Sequence, residues 1–127
     1  MSELTCLELG ILLWVVHIAV QAIFANTAVG SDYLTSARDS PPQPKGLEYP
    51  RATRALANYI ENFVPFIAAD LGLIVSGHGG GWGATVWIFA RIAYIPLYIG
   101  GVKNLRSAAW GVSVVGLLMM LARLAGF

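Results

Sequence analysis

Residues 51–75, RATRALANYIENFVPFIAADLGLIV, decide the fold. A helix rises about 1.5 Å per residue, so a run of this length crosses a hydrocarbon core of about 30 Å. Backbone exposed to lipid has to satisfy its own hydrogen bonds, and a single spanning segment does so only as a helix. The same stretch carries Arg54, Asn58 and Glu61 at spacing i, i+4 and i+7, which puts all three on one face of that helix. A segment apolar enough to enter a membrane, yet charged along one side, must turn that side to something other than lipid.

Working outward, three more apolar segments fall at about 4–29, 82–101 and 106–126, beside the central one at 52–75. The expected fold class is therefore an all-α membrane protein. Residues 1–127 make one domain, a bundle of four transmembrane helices. Composition leaves little room for anything else. Of 127 residues 57% are apolar and only 12% charged, against about 25% charged in soluble domains, and the mean hydropathy is +0.66. The first segment starts with Glu3 and Glu8 and has no basic region before it, so it reads as a retained span rather than a secretion signal. A net charge of +1 without a basic stripe excludes nucleic acid as a partner. The one cysteine, Cys6, has no partner for an intramolecular disulfide and reads as a small hydrophobe.

The connections differ in kind. Residues 30–50 hold Pro41, Pro42, Pro44 and Pro50 with Asp32, Arg38, Asp39, Lys45 and Glu48, the composition of a loop in water. Gly77-His78-Gly79-Gly80-Gly81-Trp82-Gly83 reads as a tight turn. It lacks the Lys-Ser/Thr of a phosphate-binding loop, and His78 has no second ligand beside it, so no metal site is expected. Arg38, Lys45 and Arg51 lie in or beside the first loop and Lys103 and Arg106 in the third, whereas the glycine turn has no cation. The positive-inside rule then makes the first and third loops cytoplasmic and puts both termini on the other side, with Arg123 the exception.

The third segment repeats the pattern of the second. Arg91, Tyr94 and Tyr98 stand at i, i+3 and i+7, again on one helix face. Charges at membrane depth cost on the order of 2.5–3.5 kcal/mol each, so they are kept for a partner or a task. One reading is structural, with Arg54 or Arg91 paired to Glu61 or Asp70. The other is a site: the two stripes face each other or a cavity, and Arg54, Tyr98, Arg106 and Arg38 converge at the cytoplasmic half. Guanidinium groups suit carboxylates, Glu61 suits an ammonium, and Asn58 and the tyrosines suit amides, an inventory that a small zwitterionic peptide would satisfy. The chain offers no nucleophile of its own there, since Cys6 is at the far end of its helix and Ser107 has no histidine base. The reactive atom has to come with the ligand.

These residues resemble a known family. Arg51-Ala52-Thr53-Arg54-Ala55-Leu56-Ala57-Asn58-Tyr59-Ile60-Glu61 is similar to the second-helix pattern R-x-x-R-A-x-x-N-x-x-E of the membrane-associated proteins in eicosanoid and glutathione metabolism, the MAPEG family. Ala90-Arg91-Ile92-Ala93-Tyr94-Ile95-Pro96-Leu97-Tyr98 is similar to its third-helix pattern A-R-x-x-Y-x-x-x-Y, and Leu105-Arg106-Ser107 follows. The resemblance covers nearly the whole chain and looks closest to the small bacterial inner-membrane branch. It implies a homotrimer that binds glutathione between subunits near the cytoplasmic face and meets a lipophilic small molecule from the membrane lipid. Carried over by position, glutathione is held by Arg51, Arg54, Asn58 and Glu61, by Arg91, Tyr94 and Tyr98 across from them, and by Ser107 and Trp110. Arg106 matches the arginine proposed to stabilise the glutathione thiolate, and Ser36-Ala37-Arg38 resembles a loop segment that makes Arg38 a further catalytic candidate. Asn62 and Trp110 stand where eicosanoid-forming members carry tyrosine.

The resemblance thus implies a membrane-bound glutathione-dependent transferase or peroxidase acting on lipophilic electrophiles. The alternative is a non-enzymatic membrane protein of the same fold that binds glutathione or a protein partner. A transporter would need polar groups at several depths. The glycine-turn half offers only His17, Gln21, Asp70 and His78.

Overall fold

A computed structural model describes all residues, 1–127, as helices joined by loops, without strands. Helix α1 covers Glu3–Ala28, α2 Ser31–Leu34, α3 Glu48–Ser76, α4 Gly83–Ile99 and α5 Lys103–Leu124. By length and composition α1, α3 and α5 can each cross a membrane, and α4 is a shorter apolar helix of 17 residues. Only 27 of 127 residues are buried, and large side chains such as Ile11, Ile23, Val64, Val75, Phe89, Val115 and Leu118 are exposed. Water would not tolerate that much contiguous apolar surface, whereas a hydrocarbon solvent covers it at no cost. The chain is an integral membrane protein.

The helix bounds differ from the sequence expectation by a few residues, most at the starts of α3 and of α5, which begins at Lys103 rather than near 106. Helix α3 starts at Glu48 rather than near 52, taking in Pro50, whose missing N–H is harmless in a first turn. The loop holds one short helix, α2, and returns to the bundle where the Lys45 N–H donates to the carbonyl of Ala28.

Helix α1 packs on α3 and α4 on α5, with α3 touching all three long neighbours. Two close approaches fix these pairs. Gly10 on α1 lies against the rings of Phe63 and Phe66, and its carbonyl accepts a hydrogen bond from the Tyr59 hydroxyl. Gly83 and Gly116 bring α4 and α5 together so tightly that a Cβ on either would stand 2.7 Å from the other's carbonyl oxygen. In lipid, helices associate by such contacts of small residues, because apolar side chains gain nothing by leaving one hydrocarbon for another.

The interior is layered. Phe63, Phe66 and Trp87 form an aromatic plate, with the Phe66 and Trp87 rings 4.0 Å apart and nearly parallel. Towards the loop end lie Tyr59, His17, Arg91 and Tyr94; towards the glycine turn lie Cys6 and Thr85, 3.9 Å apart, and the buried Asp70.

Each end is closed differently. Gly77 takes a left-handed φ of 73° that lets the His78 N–H reach the carbonyl of Leu73. The rest of the turn is clamped: Glu3 accepts from the Gly80 N–H at 2.9 Å, and Arg123 donates to the carbonyls of His78 and Gly79. Arg123 therefore serves the backbone of the turn. At the other end, the Arg51 guanidinium donates to the carbonyl of Ile99, the last residue of α4. It lies against Gly101, where a Cβ would stand 2.9 Å away.

Candidate functional site

The end of the bundle that carries the long loop has two adjoining cavities. The smaller, about 240 Å³, is lined by Arg51, Arg54, Tyr98, Gly101, Lys103 and Arg106. Four cations and no carboxylate border it. The larger, about 510 Å³, is lined by Tyr94, Tyr98, Arg106, Ser107, Trp110 and Gly111, a size that suits a small-molecule site. Tyr98 and Arg106 line both, so the cationic cavity and the larger cleft meet at that pair.

Local structure explains the convergence. Arg54 lies on the exposed side of α3, and its Nε donates to the Tyr98 hydroxyl at 3.3 Å, which joins α3 to the last turn of α4. Gly101, with φ 71°, reverses the chain at once, and the Val102 N–H closes onto the carbonyl of Leu97. Helix α5 therefore begins beside the end of α4. Its first-turn Arg106 places the guanidinium carbon 4.9 Å from the Tyr98 ring centre. Ser107 spends its hydroxyl on the Lys103 carbonyl, so at the cleft it presents a hydroxyl already engaged.

The structure thus brings together Arg51, Arg54, Tyr94, Tyr98, Arg106, Ser107 and Trp110. Four other expected residues lie elsewhere in the single chain. Arg38 has φ 61° and folds back, with Nε and Nη2 donating to the Leu34 carbonyl. It lines a separate cavity with Gln21, Ala22, Ala25, Asn26, Leu34 and Tyr49. Asn58 is half-buried and takes the amide of Asn62 on its carbonyl oxygens. Glu61 is exposed on the outer side of α3 and borders neither cavity.

Arg91 differs most from the expectation. Rather than facing the α3 stripe it is wholly buried, and all three of its side-chain nitrogens lack a hydrogen-bond partner. Its guanidinium carbon lies 4.2 Å from the centre of the Tyr94 ring, 5.4 Å from Tyr59 and 5.9 Å from Trp87. The reason is the position of α4, which is flanked by α1 and α3 on one side and α5 on the other. Arg91 falls on the side that faces inward, while Tyr98, two turns later, reaches the rim. Neither Arg54 nor Arg91 is the glue of a carboxylate pair: Arg54 is bonded to Tyr98, and both Asp70 oxygens are buried without a partner.

Gly101, Lys103 and Gly111 line the cavities without having been expected there from the sequence. Lys103 was signalled by its place three residues before Arg106, which puts both on one face. Gly111 gave no signal. No group of three His, Cys, Asp or Glu side chains is arranged to hold a metal ion. No curated protein matches the chain. The sequence model of the MAPEG family matches residues 4–126, nearly the whole length, and the protein belongs to that family.

Proposed function

We propose that the protein is a glutathione-dependent transferase or peroxidase that acts on lipophilic electrophiles, assembled as a homotrimer in a bacterial inner membrane with its Arg-rich end in the cytoplasm. Family membership supports a glutathione-related role in the membrane. The observation that carries the finer reading is the acid-free cationic cavity joined, at Tyr98 and Arg106, to a cleft with apolar walls. Glutathione brings two carboxylates, which suit Arg51, Arg54 and Lys103. Its thiol then falls at the junction, beside Arg106. A thiol of pKa about 8.5 next to a guanidinium is held largely as the thiolate at neutral pH, and the thiolate is the nucleophile. An electrophile entering from the bilayer meets that sulfur in the larger cleft.

The trimer gives the remaining residues their tasks. Glu61, exposed on α3, is placed to take the peptide ammonium against a neighbouring subunit, Asn58 to take an amide, and Arg38 to reach the ligand from the subunit alongside. Arg91 works from behind Tyr94 rather than on the peptide. All four long helices span, α4 covering about 26 Å at 1.5 Å per residue. The aromatic plate of Phe63, Phe66 and Trp87 separates the two buried polar layers, which argues against a transport path through the subunit.

Binding without turnover is the second reading, and one observation favours it: no His, Cys, Asp or Glu side chain borders either cavity. Calorimetric titration of the purified protein with glutathione, paired with turnover of a panel of electrophiles, separates the two. Losing a charge-assisted hydrogen bond costs about 1.5–3 kcal/mol, so Arg54→Ala should weaken glutathione binding on the order of tenfold or more. Arg106→Ala should abolish most turnover while leaving binding nearly intact. Binding with no turnover above background would favour the second reading, and unchanged binding in Arg54→Ala would sink the site assignment.

A further inference from the structure

We propose that the cationic cavity holds the phosphate of an anionic membrane lipid until glutathione displaces it, so that the bilayer itself keeps the site closed when the peptide is scarce. The displacement rests on the glutathione reading, whereas the lipid site stands without it.

The cavity has donors to spare and nothing to receive them. Arg54 spends only Nε, on the Tyr98 hydroxyl, and Arg51 only Nη1, on the Ile99 carbonyl. Arg106 lies over the Tyr98 ring and Lys103 stands at the exposed rim, their side-chain N–H groups uncommitted. A guanidinium carries five N–H donors and an ammonium three, and no carboxylate borders this space. Guanidinium forks grip oxyanions bidentately. A phosphate diester offers two non-bridging oxygens that share one charge, on a group small enough for about 240 Å³.

Depth identifies the source of the phosphate. Helix α4 has 17 residues, about 26 Å at 1.5 Å per residue, slightly less than a hydrocarbon core of about 30 Å. Trp82, 70% exposed, marks its start as one membrane interface, so the chain reversal at Gly101 falls at the other. The four cations therefore stand at the level of the lipid phosphates, where a basic pocket between membrane helices takes an acidic headgroup.

The mouth of the cavity fits the rest of the lipid. Val102 and Leu105 are 39% and 59% exposed and alternate with Lys103 and Arg106 at the start of α5. Acyl chains lie against those two side chains while the headgroup reaches the neighbouring cations, so a lipid enters sideways without leaving the bilayer. Glutathione comes to the same charges from the water side, and the two anions exclude one another. The glycine-turn end lacks this combination, because Arg123 is committed to the carbonyls of His78 and Gly79, with Glu3 nearby.

The test is native mass spectrometry of the purified protein in a neutral detergent, supplied with equal amounts of phosphatidylglycerol and phosphatidylcholine of the same acyl chains. Each subunit should retain one phosphatidylglycerol in clear preference to the zwitterionic lipid, and added glutathione should release it. Losing one cation near a charged lipid costs about fivefold in affinity. Lys103→Ala should therefore retain correspondingly less, Lys103→Arg should restore retention, and Arg123→Ala should retain as much as the unaltered protein. Equal retention of the two lipids, or retention unchanged in Lys103→Ala, would overturn the proposal. Release of the lipid by inorganic phosphate as readily as by glutathione would also overturn it, because the cavity would then be filled from solution. If phosphatidylglycerol is retained but glutathione neither binds nor releases it, the lipid site stands and the glutathione reading falls; glutathione binding without any retained lipid gives the reverse.

Discussion

Replacing Arg91 by methionine and by alanine separates the cost of its charge from the value of its volume. The guanidinium is fully buried, with no hydrogen-bond acceptor and no carboxylate against it. Holding such a charge at membrane depth costs about 2.5–3.5 kcal/mol. Against this stand the aromatic rings of Tyr94, Tyr59 and Trp87 at 4.2, 5.4 and 5.9 Å. A desolvated cation over a ring gains about 2 kcal/mol or more, and the two farther rings give less than the first. The two sides nearly cancel. Arg91→Met keeps most of the volume and should therefore change stability by no more than about 1 kcal/mol, as replacements of buried ions by fitting apolar groups commonly do. Arg91→Ala also opens a void among Tyr59, Trp87 and Tyr94, and should cost about 2–5 kcal/mol. Loss of helicity on titration with a denaturing detergent, measured for the two variants side by side, gives the comparison. If methionine proves as damaging as alanine, the guanidinium has an anionic partner outside the single chain, and the view of Arg91 as a buried prop for Tyr94 is wrong.

Three further outcomes follow from the geometry. Gly116→Ala sets a methyl 2.7 Å from the Gly83 carbonyl and 2.8 Å from the Trp87 amide nitrogen; because both are backbone, α4 and α5 must part, at about 1–3 kcal/mol, read as a lowered unfolding temperature in detergent. Arg123→Ala frees the carbonyls of His78 and Gly79 and should raise hydrogen exchange and protease cleavage in the glycine turn while leaving glutathione affinity at the opposite end unchanged. For turnover, the rate should rise with pH through the apparent pKa of the bound thiol, which lies below the free value of about 8.5 as long as Arg106 is present. Arg106→Ala should move that midpoint upward, towards the free thiol, and Arg106→Lys should restore part of the shift; an unmoved midpoint would remove Arg106 from its role.

Arg54, Tyr98 and Arg106 were legible because polar side chains at helical spacing in apolar segments have so few tolerable destinations. The spacing shows which side of a helix is polar, but not which neighbour that side meets. For α3 the ambiguity is harmless, since Arg54, Asn58 and Glu61 all lie on the less buried side. For α4, enclosed by helices on two sides, the same regular spacing splits. Arg91 turns into the bundle and Tyr98 out to the rim. Arg38 was hidden for another reason: its left-handed φ and its bonds to Leu34 come from local loop geometry that periodicity does not encode. The glycine turn was readable as a turn, but not the reason for all its glycines. Gly77 and Gly80 need their positive φ, whereas Gly79 and Gly81 leave room for Glu3 and Arg123.

The two ends of the bundle use their cations differently, and this bears on what a ligand must be. At the glycine turn, Arg123 is committed to two backbone carbonyls and Glu3 supplies a negative charge nearby. At the other end, of the four cations around the cavity only Arg51 is committed to a carbonyl, that of Ile99. Arg54 is bonded to a neutral hydroxyl, Arg106 covers a ring, and Lys103 joins them around a cavity bordered by no acid. Mutual repulsion at that end is relieved by an anion, so glutathione should stabilise the fold as well as serve as reactant. At a concentration 100 times its Kd it adds about 2.7 kcal/mol, if it binds only the folded chain. The stabilisation should fall steeply with added salt, because the cavity is open to water and its charges are screened. At that same concentration it should fall to about half in Arg54→Ala, where tenfold weaker binding leaves about 1.4 kcal/mol, and persist in Arg123→Ala at the opposite end. Equal protection by a glutathione analogue with both carboxylates esterified would mean that the cations are not what holds the peptide.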